Sequence, residues 1–152
     1  MILIVQDTAS AALAKLAANV ADKRPILKAV GSAIAELAGR AFNDESVRAA
    51  PWAPLAPATV AQKLKAGTMT AILKRHGLLW HSFRVGAVTV GSETDASVTV
   101  VSDRPYAGYH QTGTARMPAR PMLPITTGGQ LTLLARRNLL DAAKAVLIAG
   151  SQ

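Results

Sequence analysis

Phe83-Arg-Val-Gly-Ala-Val88-Thr-Val90 and Val98-Thr-Val-Val101 are separated by Gly91-Ser-Glu-Thr-Asp-Ala96. Both apolar stretches alternate and are rich in β-branched residues, while the segment between them is rich in turn formers. Together they predict a β-hairpin with a multi-residue loop. Upstream, Ile2 to Val5 reads as a short opening strand. Asp7, Thr8 or Ser10 can then cap a helix that carries Leu13, Leu16, Ala17 and Val20 on one side. Asp22-Lys-Arg-Pro25 ends that helix and opens a second, because proline suits the first helical turn and not the interior. In the second helix Leu27, Val30, Ile34, Leu37 and Ala41 recur at steps of three and four. Downstream, Leu131 to Ile148 predicts a closing helix whose apolar side is Leu134, Ala135, Leu139, Ala142, Ala143, Val146 and Leu147. Helices at both ends of a small antiparallel β-sheet make the fold class α+β.

Two proline-rich passages connect these parts. Pro51-Trp-Ala-Pro54-Leu-Ala-Pro57 excludes regular structure, and Trp52 is expected to dock this crossing on the core. A short helix is expected from Pro57 or Ala58 through Val60 and Leu64, followed by a flexible loop at 65–70. Tyr106 to Gly113 reads as a tight turn or helical stub. Arg116-Met-Pro-Ala-Arg-Pro-Met-Leu-Pro124 must be extended, as an edge strand or as a clamp across the sheet. The whole is expected to be one domain, residues 1–152. Helices occupy about 8–48, the proline-rich crossing and loop 49–75, a β-rich part 76–125 and the C-terminal helix about 130–148.

The length of 152 residues suits a single domain with a real core. Thirty alanines and only six aromatic residues favour closely packed helices over a sheet-only fold. The chain has no cysteine, which excludes disulfide scaffolds, thiolate zinc sites and cysteine nucleophiles together. Seventeen Lys and Arg against nine Asp and Glu leave a net charge of +8. The surplus is dispersed, with adjacent basic pairs only at Lys23-Arg24, Lys74-Arg75 and Arg136-Arg137. No apolar run approaches bilayer length, so no membrane association and cytoplasmic synthesis are expected.

Searches for chemistry end without a site. Gly108-Tyr-His-Gln-Thr-Gly113 has the glycine spacing that opens a phosphate loop, but Thr114 and Ala115 stand where Lys and Ser/Thr should follow. His76 and His81 are five apart with Gly77 between them, and His110 is remote, so no metal-ligand spacing exists. No serine lies in a nucleophile elbow. Asp44-Glu45 ends a helix, and Glu93 and Asp95 lie in the hairpin loop. The expectation is therefore no catalytic residue, no metal and no cofactor. For nucleic acid the charge is present, but six aromatics are too few for stacking platforms, and at most weak, non-specific, salt-sensitive DNA contact is expected.

A set of phrases nevertheless occurs in a recognisable order. Phe42 closes the second helix and is followed by Trp52-Ala-Pro-Leu55-Ala-Pro-Ala-Thr59. Then come Ile72-Leu73 and Gly77-Leu-Leu-Trp-His-Ser82-Phe83, then Tyr106-Ala107, His110-Gln111-Thr-Gly113 and Pro118-Ala-Arg120-Pro121-Met-Leu123. The series resembles the phage virion morphogenesis family, the tail-completion proteins of Mu-like and P2-like contractile-tailed phages and prophages. The resemblance spans nearly the whole chain. It implies a structural protein of the virion tail or neck without enzymatic activity or cofactor, assembled in the bacterial host cytoplasm. Such a protein would form a homo-oligomeric ring, with six subunits the first stoichiometry to test, and would complete a tail so that it joins a DNA-filled head. Its partners would be other tail and neck proteins. Two departures stand out: Thr112 where family members commonly carry an aromatic, and Met122-Leu-Pro124 in place of a Phe-Leu-Gly ending.

Trp52, Tyr106, His110, Gln111, Gly113, Arg120 and Pro121 form the candidate structural or interface cluster. His110 and Gln111 are expected to bond backbone groups of the turn, and Arg120 a carboxylate or carbonyl ends. Whether the cluster holds the subunit's own fold or meets a neighbour stays open at this level. The alternative function is a basic nucleic-acid-associated protein without sequence specificity.

Overall fold

The computed structural model describes residues 21–90, 96–126 and 128–149. The expected opening strand at Ile2–Val5, the first helix through Val20 and the hairpin loop at 91–95 lie outside the described residues. Helix α1 (Arg24–Arg40) begins with Pro25 in its first turn, where a missing N–H costs nothing. Asp44 then accepts hydrogen bonds from the Ser46 N–H at 2.9 Å and the Ser46 hydroxyl at 2.6 Å, capping a 3-10 turn at Glu45–Val47. Helix α2 (Pro57–Lys65) also opens on a proline, preceded by Ala56 in the extended conformation that a following proline imposes.

Strands β1 (Phe83–Val90) and β2 (Ala96–Ser102) form the antiparallel hairpin. The ladder pairs Phe83 with Ser102 and Val85 with Val100, then resumes at Val88 with Val98 after a bulge. Two residues of β1, Gly86 and Ala87, therefore oppose Thr99 alone. The bulge matches the spacing of the large apolar side chains: Phe83, Val85, Val88 and Val90 step by two, three and two, and only one extra residue keeps all four on the inner face. The Thr99 hydroxyl closes it by donating to the Ala87 carbonyl at 3.1 Å. A Cβ on Gly86 would lie 2.8 Å from that hydroxyl oxygen.

The helix α4 (Leu133–Ala149) starts at Thr132, whose hydroxyl accepts from the Ala135 N–H at 3.2 Å. Helix α1 packs on α4 and on both strands. Its approach to the sheet centres on Gly31, where a Cβ would sit 2.6 Å from a Val98 methyl. The apolar core joins Leu37, Ala41, Phe42, Val47, Trp52, Leu79, Met122 and Ala135. Among the described residues, helices before and after the hairpin in sequence pack with a two-stranded antiparallel sheet, and the fold is α+β.

Three segments differ in detail from expectation. Regular β-structure ends at Ser102; residues 106–124 form a short helix α3 (Ala107–Thr112) and an extended run that makes no ladder with β1 or β2 among the described residues. In α2 the buried side chain is Lys63, and Leu64 is 65% exposed. Both fit a step of three or four from Val60, so the periodicity alone does not choose between them. Tertiary contact does: the Lys63 ammonium donates to the Met69 carbonyl at 3.1 Å and the Ala71 carbonyl at 2.7 Å. The 65–70 segment, expected as a loose loop, is thereby tied to the helix it follows, with further bonds from Gly67 N–H to Leu64 O and from Thr68 N–H to Lys63 O, each 3.0 Å.

Candidate functional site: a clasp between two proline-rich segments

Prolines deprive both the 51–57 crossing and the 116–124 run of donors for a strand ladder. The chain joins them through side chains instead. Trp52 is buried, and its indole N–H donates to the Pro121 carbonyl at 2.8 Å. Its ring meets Phe42 edge-on at 5.5 Å, and the Arg48 guanidinium lies 4.0 Å from its centroid. Arg48 is held there by donating to the Ala41 carbonyl at 2.7 Å and by pairing with Glu45.

Arg120 reaches back in the same direction. Its Nε donates to the Ala53 carbonyl at 2.9 Å and a terminal nitrogen to the Pro54 carbonyl at 3.1 Å. Among the alternatives raised by the sequence, the partners are carbonyls and not a carboxylate. The buried cation thus carries hydrogen bonds, with no carboxylate paired to it among the described residues. Its own N–H donates to the His110 carbonyl at 2.7 Å.

Helix α3 supports the other side. The Gln111 side-chain oxygen accepts from the N–H groups of Met122 and Leu123 at 2.9 and 3.0 Å. One amide thereby satisfies two backbone donors that the proline run leaves without a ladder. Gly113 ends α3 with φ at +75°, and a Cβ there would stand 2.7 Å from the Ala119 nitrogen. The chain then doubles back through a tight turn in which Thr114 N–H donates to Met117 O at 2.8 Å. Met122 and Pro124, the departures noted above, are among the most completely enclosed side chains of the molecule.

His110 acts through its main chain, not its ring, in this network. Its Nδ1 is buried without a hydrogen-bond partner, and the ring meets Tyr106 edge-on at 6.0 Å. Burial holds the imidazole below its ordinary pKa, and the nearby Arg120 charge adds to that effect. Tyr106 is partly exposed and makes no side-chain hydrogen bond in the clasp. Two clasp members carried no signal of their own in the sequence, the carbonyls of Ala53 and Pro54, since every residue has one. Lys63 did carry one, a lysine at a helix-face position shared with Thr59 and Val60.

Beside the clasp, α2, the 73–79 turns and the 116–118 turn enclose a cleft of about 530 Å³. Among the described residues no group of three or more His, Asp or Glu side chains could hold a metal ion. None of their helices is long and apolar enough to cross a membrane.

The fold and site define a small α+β protein whose middle is an internal clasp of proline-rich segments, with the polar groups of Trp52, Gln111 and Arg120 turned to backbone. A model of the phage virion morphogenesis family matches residues 4–145, and the chain belongs to that family. No curated protein and no solved structure matches the chain.

Proposed function

We propose that this protein is a non-enzymatic structural component of the virion that completes the tail and joins it to the head, acting as a ring of identical subunits at the neck. The observation that carries the reading is the match to the morphogenesis family over residues 4–145. The site geometry supports it, because the polar groups of buried Trp52 and Arg120 and of half-buried Gln111 are spent on backbone atoms of the same chain. That is the chemistry of a rigid building block. Each strand of the β1–β2 sheet is also paired on one side only among the described residues, which offers an edge for a neighbouring subunit. A ring of heterologous contacts closes at a fixed number of copies, so light scattering across a wide concentration range is expected to give one discrete oligomer, six subunits being the first stoichiometry to test. A strict monomer at every concentration, with no rings on isolated tails or heads, overturns the ring. A nonsense codon at Trp52 in a phage encoding this chain should leave heads and tails unjoined in micrographs; normal virions would overturn the neck assignment.

A further inference from the structure

Of the cations at the cleft beside the clasp, Lys63 and Arg120 also hold the fold, whereas Arg75 and Arg116 are exposed. The basic lining of the cleft is Lys63, Arg75, His76, His110, Arg116 and Arg120, with no Asp or Glu among the described residues that form it. The ion pairs of the described residues lie elsewhere, at Arg40–Asp44, Arg48–Glu45 and around Asp103. Lys63 and Arg120 are both more than nine-tenths buried, yet their hydrogen-bond partners are carbonyl oxygens, and no described carboxylate pairs with either. Burial holds the Lys63 ammonium below its ordinary pKa, and the nearby Arg75 charge adds to that effect. Arg75 and Arg116 are exposed at the cleft. Between these charges the walls are apolar: Leu55, Leu73, Met117, Pro118 and the half-exposed Leu78.

We infer that this cleft is a docking groove for an acidic, leucine-type segment of a partner protein, with carboxylates meeting Arg75 and Arg116 and apolar side chains filling the space between. Three features select that occupant. A sugar–phosphate backbone has nothing to bury against the apolar walls, and among the described lining residues Tyr106 is the one Phe, Tyr or Trp platform for a single strand. At the cleft itself the basic lining favours an acidic segment over the predominantly basic surface of a second copy, whatever contacts copies make elsewhere. The volume of about 530 Å³ suits a few side chains in a concave site and not a duplex. The inference does not depend on ring closure, since every lining residue belongs to one chain.

The test uses the full chain and a fluorescent peptide of alternating glutamate and leucine, followed by anisotropy at physiological salt. A peptide with glutamine for glutamate and a labelled DNA duplex serve as competitors. The double variant Arg75→Glu/Arg116→Glu alters exposed side chains, and its thermal melt confirms folding. The matched variant Arg136→Glu/Arg137→Glu makes the same charge change on exposed positions of α4, away from the cleft. The expected result is at least about tenfold weaker peptide binding for the cleft variant and less than about threefold for the α4 variant. Equal losses in the two variants would overturn the groove in favour of diffuse charge. So would equal binding of the glutamine peptide, or no peptide binding below about 1 mM. Duplex DNA that displaces the peptide and is itself lost with the cleft variant would reassign the surface to nucleic acid. A strict monomer that binds the peptide and forms no rings on isolated tails or heads would leave the groove standing and the ring refuted.

Discussion

At the residue scale the clasp makes Arg120 a structural residue first. Replacing it with alanine removes two charge-assisted bonds and strands the carbonyls of Ala53 and Pro54. The expected loss of stability is about 3 kcal/mol, read as a fall in the denaturation midpoint. A variant that melts normally but fails to assemble would place Arg120 at an interface instead. His110 carries a separate, pH-dependent signature. Its folded pKa lies below the ordinary 6.5 because burial, and then Arg120, disfavour the imidazolium. The unfolded chain therefore takes up the proton first. The associated stability is complete above pH 6.5 and falls as pH drops through that value toward the folded pKa. Thermal melts from about pH 8 to about pH 5 should show a shallower decline for His110→Asn than for the native chain. Identical slopes would mean that the ring is not held neutral.

At the element scale, the two described glycines inside α1 make opposite predictions from one chemistry. Alanine is favoured over glycine within a helix by up to about 1 kcal/mol. At Gly39 a Cβ meets nothing within 4 Å, so Gly39→Ala should raise the melting temperature. At Gly31 it would stand 2.6 Å from the Val98 Cγ2 and 3.2 Å from the Val85 methyls, which are β-branched and cannot turn away freely. Gly31→Ala should therefore destabilise by about 1–3 kcal/mol, and Val98→Ala in the same chain should recover part of that loss. A stabilising Gly31→Ala would show that α1 rides higher above the sheet. The hairpin teaches the same lesson about register. Alternation made both strands legible, and the break in alternation between Val85 and Val88 is where the bulge lies. The proline runs were legible as extended, but their partners were not. Proline announces which backbone bonds are missing and is silent about which side chains replace them.

At the scale of the whole molecule, the sequence by itself determined the α+β class, because hydrophobic periods of two and of three-to-four residues are local properties. It also placed α1, α2, the hairpin and α4 to within a few residues. It left 106–113 open between a tight turn and the helical stub that α3 is, and it supplied ordered phrases that resemble the family. Trp52 as the anchor of the crossing followed from size and apolarity alone. Only the tertiary structure decided which of Lys63 and Leu64 turns inward, and that Arg120 ends on carbonyls. The same holds for Gln111 bridging to Met122 and Leu123, and for six basic side chains converging on one cleft with no carboxylate among them. The physical reason is separation along the chain. Arg120 lies 67 residues from Ala53 and Trp52 lies 69 from Pro121. A backbone carbonyl has no residue-type signature, so such pairings exist only once packing has brought the two proline-rich segments side by side.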